Sequence, residues 1–147
     1  DAQHLPFRDE AFDAVFLVHV AGHLPPAQGR KAVASEAVRV LRPGGTLFFR
    51  SFSVEDMRAG KGGTETEPWT FRRGGEGIIT HYFTEAETAE LFAPLVAVSV
   101  RTHRWRMRVR GGRTSPGPRW RRCFAGRGGR EGSALRRPDP GLKGTYT

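Results

Sequence analysis

Few side chains in this 147-residue chain occur at spacings that suggest chemistry, and most of them follow apolar stretches. Asp1-Ala2 precedes a polar stretch, Leu17-Val18-His19 ends an apolar one with His23 close behind, and His81-Tyr82 lies further along. The two early histidines invite a metal or general-base interpretation, but no Asp, Glu or Cys accompanies them at the spacing of a metal site. We therefore predict no metal site at these histidines.

The elements that must position these residues form one βαβ unit. Residues 14–20 are a near-continuous apolar run, typical of a parallel strand that is covered on both faces. Residues 26–41 carry the broad apolar stripe of a helix that packs on a sheet, and residues 46–53 are β-branched and aromatic. Residues 42–45, Arg-Pro-Gly-Gly, are predicted to end the helix in a turn. The order strand, helix, strand predicts a parallel pair.

A long segment separates this unit from the next predicted elements. Residues 54–80 are rich in Gly, Glu and Arg and show no sustained periodicity, and loops of that length are usually lids or binding loops. Thr84 and Glu87 have the spacing of a capping box, which predicts a helix to about Ala93. Residues 95–100 form a further predicted strand. The body of the chain is therefore predicted to be an α/β domain.

The positive charge is concentrated at one end of the chain. The net charge is +9, yet residues 1–100 hold 10 basic and 13 acidic side chains, whereas residues 101–147 hold 14 basic and 2 acidic. Arg, Gly and Pro dominate from Gly111 onward, so we predict a disordered tail over residues 106–147. Residues 110–113 and 127–130 both read Arg-Gly-Gly-Arg, a composition that binds nucleic acid through phosphate charge and arginine stacking. A basic nucleic-acid-binding module is thus the alternative function.

Another interpretation of the tail concerns its reading frame. Residues 114–126, back-translated with GC-rich codons and shifted by one base, give alternating apolar residues, as a last strand requires. A single lost G at the junction of Arg113 and Thr114 would produce the residues that are observed. The DNA sequence tests this hypothesis, because codons that do not fit the alternate frame contradict it.

Cysteine content and hydropathy restrict the location. The single cysteine, Cys123, excludes an intramolecular disulfide and a multi-cysteine zinc site, which favours the cytoplasm. No apolar run approaches the roughly 18–20 residues of a membrane span, and the first residues lack a signal pattern. The length suits one domain with a real core. Because the chain begins with Asp and not Met, we expect a fragment.

Two motifs resemble the class I S-adenosylmethionine-dependent methyltransferases. Residues 1–15 read Asp-Ala-x-x-Leu-Pro-Phe-x-Asp-x-x-Phe-Asp-x-Val, and residues 39–47 read Arg-Val-Leu-Arg-Pro-Gly-Gly-Thr-Leu. The resemblance covers roughly residues 1–105, within which residues 54–80 look like the family's substrate-side insert. It implies a Rossmann-like, mostly parallel sheet with flanking helices and the cofactor S-adenosyl-L-methionine. It also implies methyl transfer to an unidentified acceptor, which is a small molecule or an RNA or protein.

The same resemblance implies roles for individual residues. Cofactor contacts are expected from the first motif and from the end of the first strand: Asp1, Ala2, Leu17, Val18 and His19. A substrate-facing role is expected near the insert: His23, His81 and Tyr82. The alternatives are that Asp1 is a solvated end, that the strand residues are ordinary strand ends, and that Tyr82 packs at the helix start. No catalytic acid or base is assigned, because methyl transfer from a sulfonium depends mainly on orientation.

One feature departs from the family pattern. The family's first strand ends in a Gly-rich turn, E/D-x-G-x-G, that lets the backbone approach the cofactor, and this chain contains no such strand-turn-helix. We therefore expect a C-terminal portion that is weakly active or inactive alone. Such a portion would expose the apolar faces of residues 15–20 and 47–49. A third possibility is an inactive methyltransferase-like partner subunit.

Overall fold

The structure, a computed structural model, describes residues 1–24, 26–74, 77–108, 114–123 and 135–136. The helices of this part are α1, Ala27–Arg39, and α2, Glu85–Leu91, and a short 3₁₀ turn spans Ala21–His23. The strands are β1 Phe12–Val18, β2 Leu41–Phe52, β3 Thr64–Glu67, β4 Thr70–Arg73, β5 Ile78–His81, β6 Val96–Ala97, β7 Val100–Arg108, β8 Thr114–Cys123 and β9 Leu135–Arg136. None of the helices described has the length and apolarity to cross a membrane.

The predicted βαβ unit is confirmed, with different boundaries. Strands β1 and β2 are parallel, and Val18 lies opposite Arg50. Helix α1 ends at Arg39, and residues 42–45 lie inside β2 and not in a turn as predicted. The register of the pair shifts at this point, where Gly44 has a φ of 74°. Glycine adopts this conformation without steric cost, so the Pro-Gly-Gly sequence forms a bulge in the strand.

The core lies between the sheet and the two helices. Leu47 and Phe49 of β2 are fully buried, and the Phe49 ring contacts the rings of Phe83 and Phe92 at centroid distances of 5.3 and 5.0 Å. Helix α1 contributes three buried residues to the same cluster: Val33, Ala34 and Ala37. The predicted exposure of residues 47–49 is therefore wrong for Leu47 and Phe49, because α1 and the rings of Phe83 and Phe92 cover that face.

The opposite face of the β1–β2 pair carries exposed apolar side chains. Phe16 stacks on Phe48 with ring centroids 4.5 Å apart, yet 66% of Phe16 remains exposed, as does 45% of Val18. The predicted exposure of residues 15–20 is confirmed at these two positions.

The segment predicted as a long loop contains a small antiparallel sheet in the order β3-β4-β5. Its strands have four residues each, and its first turn places Trp69 at a φ of 60°. The two ends of the segment meet, because Phe83 N–H donates to Phe52 O at 2.8 Å and Val54 N–H donates to Phe83 O at 3.2 Å. The insert, residues 54–82, is therefore a folded unit with adjacent ends.

The predicted cap of α2 is confirmed on one side. Thr84 Oγ1 accepts a hydrogen bond from Glu87 N–H at 3.0 Å, as a capping box requires. The carboxylate of Glu87 accepts from His81. The helix ends at Leu91, two residues before the predicted end.

Further strands join β2 in antiparallel orientation. Strand β8 pairs with β2 and β7, and β9 pairs with β2 and β6. The α/β class is confirmed, and the larger sheet is mixed. Strands β8 and β9 lie where disorder was predicted, since strand pairing uses backbone groups that composition does not reveal. Residues 109–113, 124–134 and 137–147, which include both Arg-Gly-Gly-Arg segments, lie outside the described residues. The domain division and the reading-frame hypothesis stay predictions.

Candidate functional site

The candidate site lies at the carboxyl edge of the parallel pair, where β1 ends at Val18 and β2 ends at Phe52. Ligands of open α/β sheets bind at this edge. The chain leaves β1 at His19, whose φ of 57° is uncommon for a residue other than glycine. The His19 N–H donates to the Arg50 carbonyl at 2.8 Å, which fixes the turn against β2.

The imidazole of His19 is held in its neutral form. Its ring centroid lies 5.0 Å from that of Phe52. Burial lowers the pKa of His19 from 6.5 to about 4, and electrostatic interaction with Arg50, His23 and Arg58 adds to the effect. A neutral imidazole offers one hydrogen-bond donor and one acceptor. At neutral pH this side chain can therefore bind an N–H or O–H group without carrying charge.

His23 connects this edge to the insert. Its Nδ1 lies 2.7 Å from the Ile79 carbonyl oxygen, and because a carbonyl only accepts, Nδ1 is the donor. The 3₁₀ turn that carries His23 packs tightly, since a Cβ at Gly22 would lie 2.9 Å from Ser51 Oγ and 3.3 Å from His81 O. Glycine at this position therefore lets the turn approach both β2 and β5.

Aromatic rings and arginines surround the end of β2. The Arg58 guanidinium lies 4.7 Å from the centre of the Phe52 ring and bonds the buried Asp56 carboxylate at 3.0 and 3.1 Å. These hydrogen bonds raise the pKa of Arg58. Tyr82 lies 5.9 Å from Phe52 under the guanidinium of Arg73 at 5.8 Å, and burial raises the pKa of its phenol. The cluster is cationic and aromatic.

A second polar cluster joins the insert to both helices. Arg30, only 5% exposed, donates from both terminal nitrogens to Glu67 Oε2 at 3.2 Å. The other Glu67 oxygen accepts from Ala27 N–H at the start of α1, also at 3.2 Å. A carboxylate is favourable at a helix N-terminus, where free N–H groups point outward. Glu67 thus anchors the β3–β4 turn on α1.

A cavity of about 350 Å³ opens beside this anchor. Trp69, 43% exposed, stands on its rim. The remaining lining residues come from α1, from the insert and from the start of α2: Ala27, Arg30, Glu67, Pro68, His81, Thr84 and Glu87. Within the part of the chain described here, no three His, Cys, Asp or Glu side chains converge as metal ligands.

The first motif forms a compact turn next to α1. Asp1 Oδ1 accepts from Gln3 N–H at 2.9 Å, and the Asp1 carbonyl accepts from His4 N–H at 3.1 Å. The Asp1 side chain is 60% exposed, and Ala2 packs on the core cluster. The exposed carboxylate is an acceptor-only group, of the kind that an amino group on a heterocycle requires.

Five of the eight sequence-predicted site residues fall into two sets, and the other three are Asp1 and Ala2 in the first turn and the exposed Val18 at the end of β1. His19 and His23 come together around Phe52 at the strand ends. Three others are buried: Leu17 belongs to the core cluster, and His81 and Tyr82 are 2% and 1% exposed. This burial favours the packing interpretation of Tyr82. The site roles themselves stay predictions.

Several residues of the site belong to no sequence pattern that would have predicted them. Phe52 ends a predicted strand, which is the one pattern that could have suggested it. Four further residues of the site lie far apart in sequence or in an aperiodic segment: Arg30, Asp56, Arg58 and Glu67. Only the folded insert brings them to the carboxyl edge.

The family model and the relatives that this chain resembles in sequence are all described as methyltransferases. Residues 1–49 match the family described as a methyltransferase domain. The chain is 35% identical over 79 residues to the 27-O-demethylrifamycin SV methyltransferase of Amycolatopsis mediterranei, covering 54% of this chain and 27% of the relative. It is 32% identical over 91 residues to a tRNA N(3)-cytidine methyltransferase of Danio rerio, covering 60% and 25%. The chain spans about a quarter of the length of these relatives.

Solved structures have the same fold. A SAM-dependent methyltransferase of Methanosarcina mazei superposes with a TM-score of 0.64 at 22% identity, covering 95% of this chain and 66% of that one. The N-methyltransferase NodS of Bradyrhizobium japonicum, in complex with S-adenosyl-L-homocysteine, gives 0.60 at 17%, covering 95% and 52%. The fold is the Rossmann-like α/β fold of class I methyltransferases. With the match over residues 1–49, the chain is similar to the class I S-adenosylmethionine-dependent methyltransferases.

The cofactor of this class is S-adenosyl-L-methionine. The residues at the carboxyl edge fit such a group in their chemistry. The exposed Asp1 carboxylate accepts hydrogen bonds, and Val18 offers an exposed apolar side chain at the end of β1.

Proposed function

We propose that this chain provides the cofactor and acceptor contacts of a methyltransferase that transfers the sulfonium methyl group of S-adenosyl-L-methionine to an acceptor. The proposal rests on the arrangement of residues at the carboxyl edge of the β1–β2 pair. His19 and Phe52 meet at this edge, and the turn that begins at Asp1 precedes β1 beside α1. All but Phe52 lie in the segment that matches the methyltransferase domain.

The residues of this chain act by positioning the acceptor and the cofactor, and not by covalent catalysis. When bound, the cofactor supplies an electrophilic methyl group. The protein must hold an electron-rich atom of the acceptor in line with it, which is mainly a matter of proximity and orientation. The neutral His19 imidazole accepts a hydrogen bond from an N–H or O–H of the acceptor, and Phe52 provides an apolar surface beside it. The insert, bonded to His23 through Ile79, borders the same edge and restricts access of water.

The acceptor is a small molecule or an RNA or protein. One relative is named for a rifamycin and another for a tRNA cytidine, which supports both small molecules and tRNA as candidates. The insert and its arginines are the parts of the described chain that border the acceptor side. Nucleic-acid binding by the basic tail stays a prediction. The single Cys123 supports a cytoplasmic location, and we expect weak activity from this chain alone.

The first experiment is calorimetric titration of S-adenosyl-L-homocysteine into the purified, folded chain. We expect saturable binding that Asp1→Ala weakens about tenfold or more, as loss of one hydrogen bond to an ionised group predicts. Asp13→Ala is the matched control, because Asp13 pairs with Arg42 on the protein surface. The absence of binding to a chain with a folded circular dichroism spectrum contradicts the proposal. Transfer of labelled methyl groups to tRNA or to small-molecule pools then identifies the acceptor class.

A further inference from the structure

The first ten residues lie lengthwise along α1. A Cβ at Gly29, near the start of the helix, would lie 3.3 Å from the Gln3 side-chain oxygen. Leu5 N–H bonds Glu36 further along the helix at 2.7 Å. At the end of the helix, the Arg39 carbonyl accepts from Glu10 N–H at 2.9 Å. The segment therefore runs in the same direction as α1, with Asp1 and Ala2 beside the start of the helix, which lies at the carboxyl edge.

Two side chains of α1 hold this segment. Arg39 and Glu36 form a bidentate pair with hydrogen bonds of 2.6 and 2.8 Å. Arg39 also donates to the Phe7 carbonyl at 2.8 Å, to the Asp9 carboxylate at 2.7 Å and to the Leu5 carbonyl at 3.2 Å. Alternate residues of the segment, 5, 7 and 9, are thus bonded to one pair of side chains, named here the Glu36–Arg39 clamp.

The clamp has a direct consequence for the position of Asp1. The turn from Asp1 to His4 is closed by local hydrogen bonds that the N–H groups of Gln3 and His4 donate to Asp1. Leu5 is the next residue, and both its N–H and its carbonyl are fixed by the clamp. With at most about 3.3–3.6 Å of reach per residue, a fixed Leu5 leaves the preceding turn little freedom.

We propose that Glu36 and Arg39 are positioning residues that set Asp1 and Ala2 at the cofactor edge. This inference rests on the proposed function, since it assigns the clamp to the cofactor side of that site. Charge-assisted and bidentate hydrogen bonds are the strong and geometrically specific ones, which suits a positioning role. An Arg39→Lys side chain keeps the charge but lacks the planar fork, so it restores the position only in part.

The test compares Arg39→Met with Arg42→Met in the full chain. Arg42 lies three residues further on and pairs with Asp13 in β1, so the control loses an ion pair of the same kind away from the segment. The first readout is tryptic cleavage after Arg8, whose scissile bond lies between the two residues bonded by Arg39. We expect cleavage to accelerate on the order of tenfold in Arg39→Met, because cleavage follows the population of the open segment. Arg42→Met should be cleaved at the wild-type rate.

The second readout is the dissociation constant of S-adenosyl-L-homocysteine. We expect it to rise at least about fivefold in Arg39→Met and less in Arg39→Lys, and to keep the wild-type value in Arg42→Met. Faster cleavage with unchanged affinity would overturn the cofactor role, and wild-type cleavage rates would overturn the clamp itself. If the wild-type chain binds no S-adenosyl-L-homocysteine, the proposed function and the cofactor role fall together, while cleavage still decides whether the clamp exists.

Discussion

The Nε2 of His81 donates to Glu87, whose two carboxylate oxygens lie 2.8 and 2.9 Å away. The carboxylate only accepts, so this nitrogen carries the proton. The other ring nitrogen lies 2.7 Å from Thr70 Oγ1. One buried ring therefore connects β4 and β5 of the insert to α2, and Arg30 of α1 stands 3.8 Å from the same carboxylate.

Glu87→Ala tests this connection. We expect the free energy of unfolding in urea to fall by about 1–3 kcal/mol, because the buried imidazole loses its hydrogen-bond partner. Glu90→Ala, on the same helix, is the matched control and should change the free energy by less than about 0.5 kcal/mol. Equal losses in the two variants would contradict a specific role for the His81–Glu87 pair.

Gly22→Ala tests the tight packing of the 3₁₀ turn. The new Cβ would lie 2.9 Å from Ser51 Oγ, and overpacking of this kind costs about 1–3 kcal/mol. Within the described residues the buried Ser51 hydroxyl has no hydrogen-bond partner, so Ser51→Ala alone should be neutral or slightly stabilising. In the double variant the cost of Gly22→Ala should shrink, as urea unfolding measures. An unchanged cost in the Ser51→Ala background would rule out this contact as the cause.

His19 gives the protein a pH dependence with a defined sign. Its pKa in the folded state is about 4 and the ordinary value is 6.5, so the unfolded chain takes up the proton first. The stabilisation is complete above pH 6.5 and is lost as the pH falls towards 4. Urea unfolding at pH 7, 5.5 and 4.5 should show this loss in the wild type and less of it in His19→Gln. The exposed His103→Gln variant should behave as the wild type, and an imidazole NMR titration of His19 with a midpoint near 6.5 would refute the assignment.

Glu36 titrates far below the ordinary range. The hydrogen bonds from Arg39, and next that from Leu5 N–H, lower the pKa of Glu36 from 4.5 to about 2. The ionised clamp therefore stabilises the fold above pH 4.5, and this contribution is lost as the pH falls to about 2. Carboxyl ¹³C NMR should show the midpoint near 2 in the wild type and in Arg42→Met, and a clearly higher midpoint in Arg39→Met. A midpoint that stays near 2 without Arg39 would mean that another group sets it.

The βαβ unit was predictable because its signals are local. The apolar run of β1, the stripe of α1 and the alternation of β2 each follow the period of the element that forms, and the Thr84 cap has a specific spacing. Of the site, the same patterns located the strand end at His19 and the following His23. Both lie where a parallel strand leaves the sheet, and the apolar run of that strand locates them whatever the composition around them.

The insert was not predictable for an equally physical reason. Its strands have four residues, many of them Thr, Glu or Arg, and they are held by pairing with one another and by anchors such as Glu67 on α1. Its first turn uses Trp69 at a positive φ, where sequence rules expect glycine. The role of Phe52 depends on this insert, because Arg58 and Tyr82 reach the ring only once the segment has folded back.

The meeting of the insert's two ends makes this part of the chain exchangeable. Ser53 and Phe83 form an isolated parallel β-bridge, so a different segment of almost any length can be grafted between them without changing the path of β2 or α2. Surface segments with adjacent ends are where insertions and replacements are tolerated best. A graft needs only to reproduce the carboxylate that meets Arg30 and a partner for Glu87. Under the proposed function, acceptor preference can therefore change when this segment is exchanged, while the cofactor edge stays constant.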